Sequence, residues 1–294
     1  MKRASNGAST KPCMELHQAM WSMKLYGDNG KEWSLEQKFD EMANAGFTGI
    51  FGSLPEREDE ALWRRLMQKH PFSFGLETFP SSGLQLKEAL LKAQDYNVMY
   101  VNAQVKDSFT INREAVDLIK ELYETAAHFN VPFFIETHRG RITQDLLRTT
   151  EYVRAVPEMA LTIDLSHYIL AGEMNSFELA EPYFAELLMR TGSIHGRVTN
   201  GQQIQIHLEE QAEHPIVEHF RRWWKAGMRN WLTQAQPGDV LPFVCEIGHH
   251  YSITPQFLPS SHSSEELSDR WQQSKLLKKW AEQLWMDLQK EEQG

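Results

Sequence analysis

Residues 131–138 read VPFFIETH, an apolar run that stops abruptly on Glu136, Thr137 and His138. A run this short and this apolar is what a parallel strand covered on both faces looks like. The pattern returns downstream in ALTIDLSH (160–167), GSIHGRV (192–198) and LPFVCEIG (241–248). Each of the four runs carries a carboxylate or an imidazole at its end: Glu136, Asp164, His195 and Glu246. Working outward, four earlier runs at 14–20, 46–54, 72–79 and 98–105 complete a set of eight strand candidates.

Amphipathic stretches separate these runs. Ser34-Leu-Glu-Gln37 has the form of a capping box and opens a helix through Met42, with Gly46 suited to its C-terminal cap. Thr143-Gln-Asp opens another helix, which stops at Pro157. Ser264-Glu-Glu is expected to begin the last helix, whose apolar stripe is Leu267, Trp271, Leu276, Leu277, Trp280, Leu284 and Trp285. Eight alternating strand–helix units in 294 residues predict an α/β fold, a single-domain (β/α)8 TIM barrel over residues 13–290. Residues 1–12, small and polar, are expected to be a disordered N-terminal segment. A doubly wound sheet is the rival, but the GxGxxG turn that usually follows its first strand is absent from the sequence.

Composition narrows the function classes. Hydrophobic residues make up 41% and charged residues 24%, ordinary globular values that exclude a mainly disordered chain. No apolar run approaches the roughly 18 residues of a membrane span, and the N-terminus lacks the apolar core of a secretory signal. Only Cys13 and Cys245 are present, which fits a reducing, cytoplasmic setting. Thirty Lys and Arg against forty Asp and Glu give a net charge of −10, which argues against nucleic acid as a partner.

In a barrel, chemistry sits where strands end. Four ligand-type side chains from successive strands would meet at one spot, and three carboxylates placed together call for a cation. Three oxygen ligands and one nitrogen suit Mn²⁺, Mg²⁺ or Co²⁺ better than a thiolate-seeking metal, with Zn²⁺ also compatible. A lone Glu or Asp at a strand end is usually a loop residue, and a lone histidine is usually packed; four in register are harder to explain independently.

The order Glu, Asp-x-x-His, His, Glu on the last four strands resembles the xylose isomerase-like TIM-barrel superfamily of sugar and sugar-phosphate isomerases and epimerases. The segments ETHRGR, DLSHY and HGRV are similar to an uncharacterised branch of it. The resemblance implies that Glu136, Asp164, His195 and Glu246 hold one divalent metal ion, with Glu136 and Glu246 also the catalytic acid/base pair. It implies a metal-stabilised enediolate in the isomerisation or epimerisation of a sugar, sugar phosphate or polyol ketone. His167, three residues after Asp164, matches a substrate-holding histidine. His138, Arg197 and Arg139 are further candidates for substrate oxygens or an anionic group, with only one of the successive His138 and Arg139 expected to face the pocket. The sequence departs from the ketose 3-epimerases, with Ile142 and Gly201 where those enzymes carry Glu and Arg. The alternatives are a metal-dependent lyase or dehydratase, an endonuclease, and a non-catalytic sugar-binding barrel. The implied partners are a small carbohydrate and further copies of the chain, with no nucleic acid and no membrane.

Other residues divide between bland and functional readings. Trp21, after the first strand, is a substrate wall or a packing residue. Glu77 and Asn102 sit late on their strands and read more readily as loop caps than as pocket groups. Lys106 would serve a Schiff-base aldolase, against the stronger reading of an exposed lysine. His249, His250 and Tyr251 follow Glu246 in the eighth loop. Trp223, Trp224, Trp231, Trp271, Trp280 and Trp285 fall in helical patterns and read as packing.

Overall fold

Eight parallel strands form the frame: β1 Cys13–Ala19, β2 Gly49–Gly52, β3 Ser73–Thr78, β4 Val98–Ala103, β5 Phe133–Glu136, β6 Leu161–Ile163, β7 Thr191–Gly196 and β8 Asp239–Cys245. Each pairs with its neighbour in chain order, and β8 returns to β1 with Val240 opposite Cys13 through Cys245 opposite Gln18, so the sheet closes. The structure, a computed structural model, describes residues 2–7, 10–28, 31–209, 214–248, 255–257, 264–266 and 268–291.

Nine α-helices are present among the described residues: α1 Leu35–Asn44, α2 Glu60–Lys69, α3 Gly83–Ala93, α4 Asn112–His128, α5 Leu146–Ala155, α6 Ser166–Ala171, α7 Glu181–Leu188, α8 Ile216–Leu232 and α9 Arg270–Glu291. Together they make the (β/α)8 TIM barrel that the strand rhythm predicts. The capping box of α1 forms as expected: Ser34 Oγ accepts from Gln37 N, and the Gln37 side chain accepts from Ser34 N. Gly46 follows with a φ of 74°, the left-handed conformation that ends a helix cheaply only at glycine.

Three boundaries differ from the sequence reading. Helix α5 is capped by Asp145 rather than Thr143, because Asp145 accepts from Arg148 N while Thr143 bonds the strand-end carbonyl of Glu136. Ser264–Glu266 is a short strand antiparallel to Pro255–Phe257, and the last helix starts at Arg270, with Asp269 accepting from Trp271 N and Gln272 N. The third difference falls in the 1–12 stretch expected to be without structure. There Ala4–Ser5 forms a strand antiparallel to β8, with Ala4 opposite Val240 and completely buried. An extended Ala–Ser pair is small enough to enter the barrel floor and satisfy backbone groups that β8 would otherwise leave unpaired.

Helix and strand faces form one apolar layer between sheet and helices, which takes in Trp223, Trp224, Trp231, Trp271, Trp280 and Trp285. Inside the barrel lies a smaller cluster of Ala4, Ala19, Phe51, Tyr100, Phe134, Ala160, Val240 and Val244. Large rings fit there because their neighbours are small: a Cβ on Gly75 would come within 2.3 Å of the Tyr100 ring. Among the described residues, no helix is long and apolar enough to cross a membrane.

This packing makes Gly75 intolerant of a single methyl group. We expect Gly75→Ala to lower unfolding free energy in urea by about 2–3 kcal/mol through overpacking. Combining it with Tyr100→Leu should return part of that loss; independent, additive costs would contradict the contact.

Candidate metal centre at the C-terminal mouth of the barrel

Glu136 is the last residue of β5, and Asp164 directly follows β6. His195 lies one residue before the end of β7, and Glu246 directly follows β8. Inward-facing positions alternate along each strand, so these four side chains enter the same end of the barrel interior. Each offers one ligand atom, and those atoms all lie within 4.8 Å of one another. All four residues are buried.

His195 Nδ1 stands 3.0 Å from Glu246 Oε2 and 3.9 Å from Glu136 Oε1. The closer contact has ion-pair distance without hydrogen-bond alignment, and distance alone does not make a hydrogen bond. Both His195 nitrogens and Glu246 Oε2 are buried without a hydrogen-bond partner among the described residues. Orphaned acceptors at the focus of three carboxylates fit a divalent cation, which would accept their lone pairs. The donor set is oxygen-rich with one imidazole and no thiolate, and Cys245, next to Glu246, points its buried side chain into the apolar layer.

The electrostatics record the crowding. Burial raises the Glu136 carboxyl to about 8, with Glu246 and Asp164 adding to the rise and His195 opposing it. Burial would also raise Glu246, yet His195 and Arg197 overcome it and hold that carboxylate low. His195 is held high in turn, because Glu246 and Glu136 outweigh its desolvation. In this form the site holds a proton where a metal would replace it.

Neighbours steady the carboxylates. Asn102 Nδ2 donates to Glu136 Oε2 at 2.6 Å, and Gln104 Nε2 lies 3.3 Å from the same oxygen. Asp164 Oδ1 accepts from the Ser166 backbone N at 3.0 Å and from its hydroxyl. Arg197 is buried across the site, with Nη2 2.6 Å from Asp164 Oδ2 and 3.7 Å from Glu246 Oε2. Its Nε donates to Ser166 Oγ at 3.1 Å, and its Nη2 lies 2.7 Å from His167 Nε2.

The loop after β5 departs from expectation. Both His138 and Arg139 turn toward the same wall: the His138 and His167 rings have centroids 3.7 Å apart, and Arg139 Nη1 lies 2.6 Å from His167 Nδ1. Strand alternation would send only one of them inward, but β5 ends at Glu136, so alternation no longer governs. Burial holds both imidazoles neutral: His138 drops to about 3, aided by Arg197, and His167 lies well below its usual value, aided by His138 and Arg197.

The remaining candidates separate cleanly. Asn102, read as a cap, is a partner of Glu136. Gln104 and Ser166, which no motif singled out, hold the carboxylates; their proximity in sequence to the strand ends was the available signal. Glu77, also read as a cap, is half-buried and senses the charges of Glu246 and His195. Trp21 lies in the single helical turn Met20–Met23, half-buried against the interior cluster. Lys106 Nζ pairs with Glu114 at 2.7 Å. His249, His250 and Tyr251 lie outside the described residues.

No known family model matches the sequence, and no curated protein matches it. Solved structures do. A xylose isomerase-like TIM barrel protein from Mycobacterium smegmatis, in complex with magnesium, aligns at TM-score 0.60 and 11% identity, covering 97% of this chain and 98% of its own. The probable 3-DHS dehydratase AsbF of Bacillus anthracis aligns at 0.56 and 15% identity, covering 81% and 95%. An AP endonuclease, family 2, from Brucella melitensis aligns at 0.54 and 14% identity, covering 81% and 94%. The fold is therefore that of the xylose isomerase-like TIM barrels, and at these identities the likeness is one of fold.

Glu77 gives the site a readable pH dependence. Burial, with Glu246 adding, raises its carboxyl from 4.5 to about 7. The folded state then holds a proton that the unfolded chain releases, so stability falls as pH rises from about 4.5 through about 7. The span corresponds to about 3 kcal/mol at most. We expect Glu77→Gln to flatten this fall in denaturant titrations of metal-free protein between pH 5 and 8; an unchanged slope would place Glu77 outside the charged cluster.

Proposed function

We propose that the protein is a divalent-metal-dependent isomerase or epimerase of a sugar, a sugar phosphate or a related polyol ketone, with Glu136 and Glu246 as the proton-moving pair. The observation that carries this reading is the convergence of Glu136, Asp164, His195 and Glu246, with ligand atoms within 4.8 Å and the His195 nitrogens unpartnered. The magnesium complex of the Mycobacterium smegmatis barrel supports it by analogy of fold. Of the candidate ions, Mn²⁺, Mg²⁺ and Co²⁺ suit the oxygen-rich donors best.

A divalent ion held by these residues supplies carbonyl polarisation, which acidifies a neighbouring C–H. The chain's own part is to move the proton. Glu136 and Glu246 come from β5 and β8, three strands apart around the barrel, so a substrate at the mouth meets carboxylates that reach it from two directions. One takes the proton from carbon and the other returns one, which changes the position of a carbonyl or the configuration at carbon. Asn102 and Gln104 fix the Glu136 carboxylate, and Arg197 fixes Asp164, so these groups meet the substrate already oriented. His138, His167 and Arg197 donate to or accept from substrate oxygens, while Trp21 offers an apolar face beside the mouth.

The same carbon deprotonation also begins a β-elimination, and the probable 3-DHS dehydratase shares this fold. A dehydratase or lyase loses water or splits its substrate, whereas an isomerase conserves mass, so product masses separate the two readings.

The test is solvent-deuterium incorporation into a panel of ketoses, polyol ketones and their phosphates, with Mn²⁺-loaded protein. Glu136→Gln and Glu246→Gln should each reduce incorporation by roughly a thousandfold, the scale of lost acid–base catalysis. Chelation should abolish it reversibly. A protein that binds no divalent ion, and whose ligand binding survives both substitutions, would end this proposal.

A further inference from the structure

Two side-chain amides approach the Glu136 carboxylate, one from β4 and one from just beyond it, and they are held differently. Asn102 Nδ2 donates to Glu136 Oε2, while Asn102 Oδ1 is buried without a hydrogen-bond partner among the described residues. Gln104 Nε2 lies 3.3 Å from Glu136 Oε2 and 3.4 Å from Oε1, and Gln104 Oε1 accepts from Arg141 Nε at 3.3 Å. A guanidinium only donates and a carboxylate only accepts, so an amide between them has one favourable orientation. Turned over, it sets N–H against N–H and oxygen against oxygen. The contacts to Glu136 are long for hydrogen bonds, so the amide depends on what holds its other end.

Arg141 is itself fixed. Ile142 N donates to Val105 O at 3.1 Å, which ties the residue after Arg141 to the residue after Gln104. Arg141 Nη1 donates to Lys106 O at 3.0 Å, and its guanidinium lies over the Phe79 ring, 5.4 Å from the centroid. Lys106 has a φ of 48°, a left-handed conformation that a lysine adopts only at a cost. Bonds on both sides keep it there: its carbonyl accepts from Arg141, and its N–H donates to Pro80 O at 3.1 Å. One guanidinium thus joins the loops after β3, β4 and β5 beside Glu136, without being one of the four candidate metal ligands.

We propose that Arg141 is a positioning residue: by fixing the Gln104 amide, it sets the orientation of the Glu136 carboxylate. This rests on the metal-dependent reading above for what Glu136 then does, which is to hold a divalent ion and move a proton. Charge alone predicts the opposite effect on metal binding. A guanidinium near the site repels a cation, so removing it for reasons of charge strengthens binding. Loss of orientation weakens binding instead, by about tenfold or more when a group supporting a metal ligand is removed.

The experiment is a double-mutant cycle of Mn²⁺ affinity, measured by calorimetry on Arg141→Met, Gln104→Met and the double variant, with melting temperature as the check on folding. Each single variant should bind Mn²⁺ about tenfold more weakly than wild type. The double variant should bind no more weakly than the poorer single one, because both substitutions break one chain of contacts. Arg141→Lys keeps the charge and one donor, so it should fall between wild type and Arg141→Met; it carries the test if Arg141→Met does not fold. Unchanged or tighter binding in Arg141→Met, or losses that multiply to about a hundredfold in the double variant, overturns the proposal. A second readout needs no metal. In protein carrying nitrogen-labelled glutamine, the Gln104 side-chain amide resonances are identified by their absence from Gln104→Met. They should move in Arg141→Met toward the position of a free glutamine amide, and unmoved resonances overturn the proposal whether or not Mn²⁺ binds. If wild type binds no Mn²⁺, the metal reading falls, and the moved resonances alone uphold the role of Arg141.

Discussion

Three carboxylates and an imidazole are held together out of water at one end of a closed barrel, and the rest of the architecture answers to that concentration of charge. Removing a single carboxylate from water costs several kcal/mol unless compensating groups are built in. Here compensation is local. Arg197 lies against Asp164 and near Glu246, His195 lies between Glu136 and Glu246, and the Asn102 and Gln104 amides approach Glu136. Each of these groups leaves a strand or its first loop residues, where backbone hydrogen bonding fixes the side chain's origin. A flexible loop would let the like charges relax apart, and the focus of ligand atoms would be lost.

The barrel interior beneath the site is built to carry this load. Phe51 meets His195 edge-on with ring centroids 4.9 Å apart, and Tyr100 stacks between Phe51 and Phe134. Those rings close the space below the ligands and keep the dielectric low around them, which strengthens every charge interaction above. Further down, His17 and Ser73 lie 2.9 Å apart, and Ser73 Oγ donates to Glu15. The interior therefore alternates a polar floor, an aromatic middle and a charged mouth.

Strands and ligand positions were legible in the sequence for a simple reason. A strand covered on both faces must be apolar until it stops, so the first polar residue of ETH, DLSH, IHG and CEI marks the barrel mouth directly. The α1 capping box was equally plain, because its two bonds join residues only three apart. Boundaries set by distant partners were not. Asp269, before the last helix, also receives the distant Tyr26 hydroxyl, and Ala4–Ser5 is a strand only because β8 starts at Asp239, ahead of its pairing with β7 at Phe243.

The same division runs through the site. By itself, the sequence determined the eight-strand rhythm, the net charge of −10, and the identity of Glu136, Asp164, His195 and Glu246 as strand-end residues, because local hydrophobic patterning encodes where each strand ends. Only the tertiary structure decided that Asn102 and Gln104 serve Glu136, that Arg197 lies across the site against Asp164, and that His138 and Arg139 both turn to His167. Those relations join residues tens of positions apart in the chain, 34 in the case of Asn102 and Glu136. Side-by-side pairing of neighbouring strands brings them within hydrogen-bond distance.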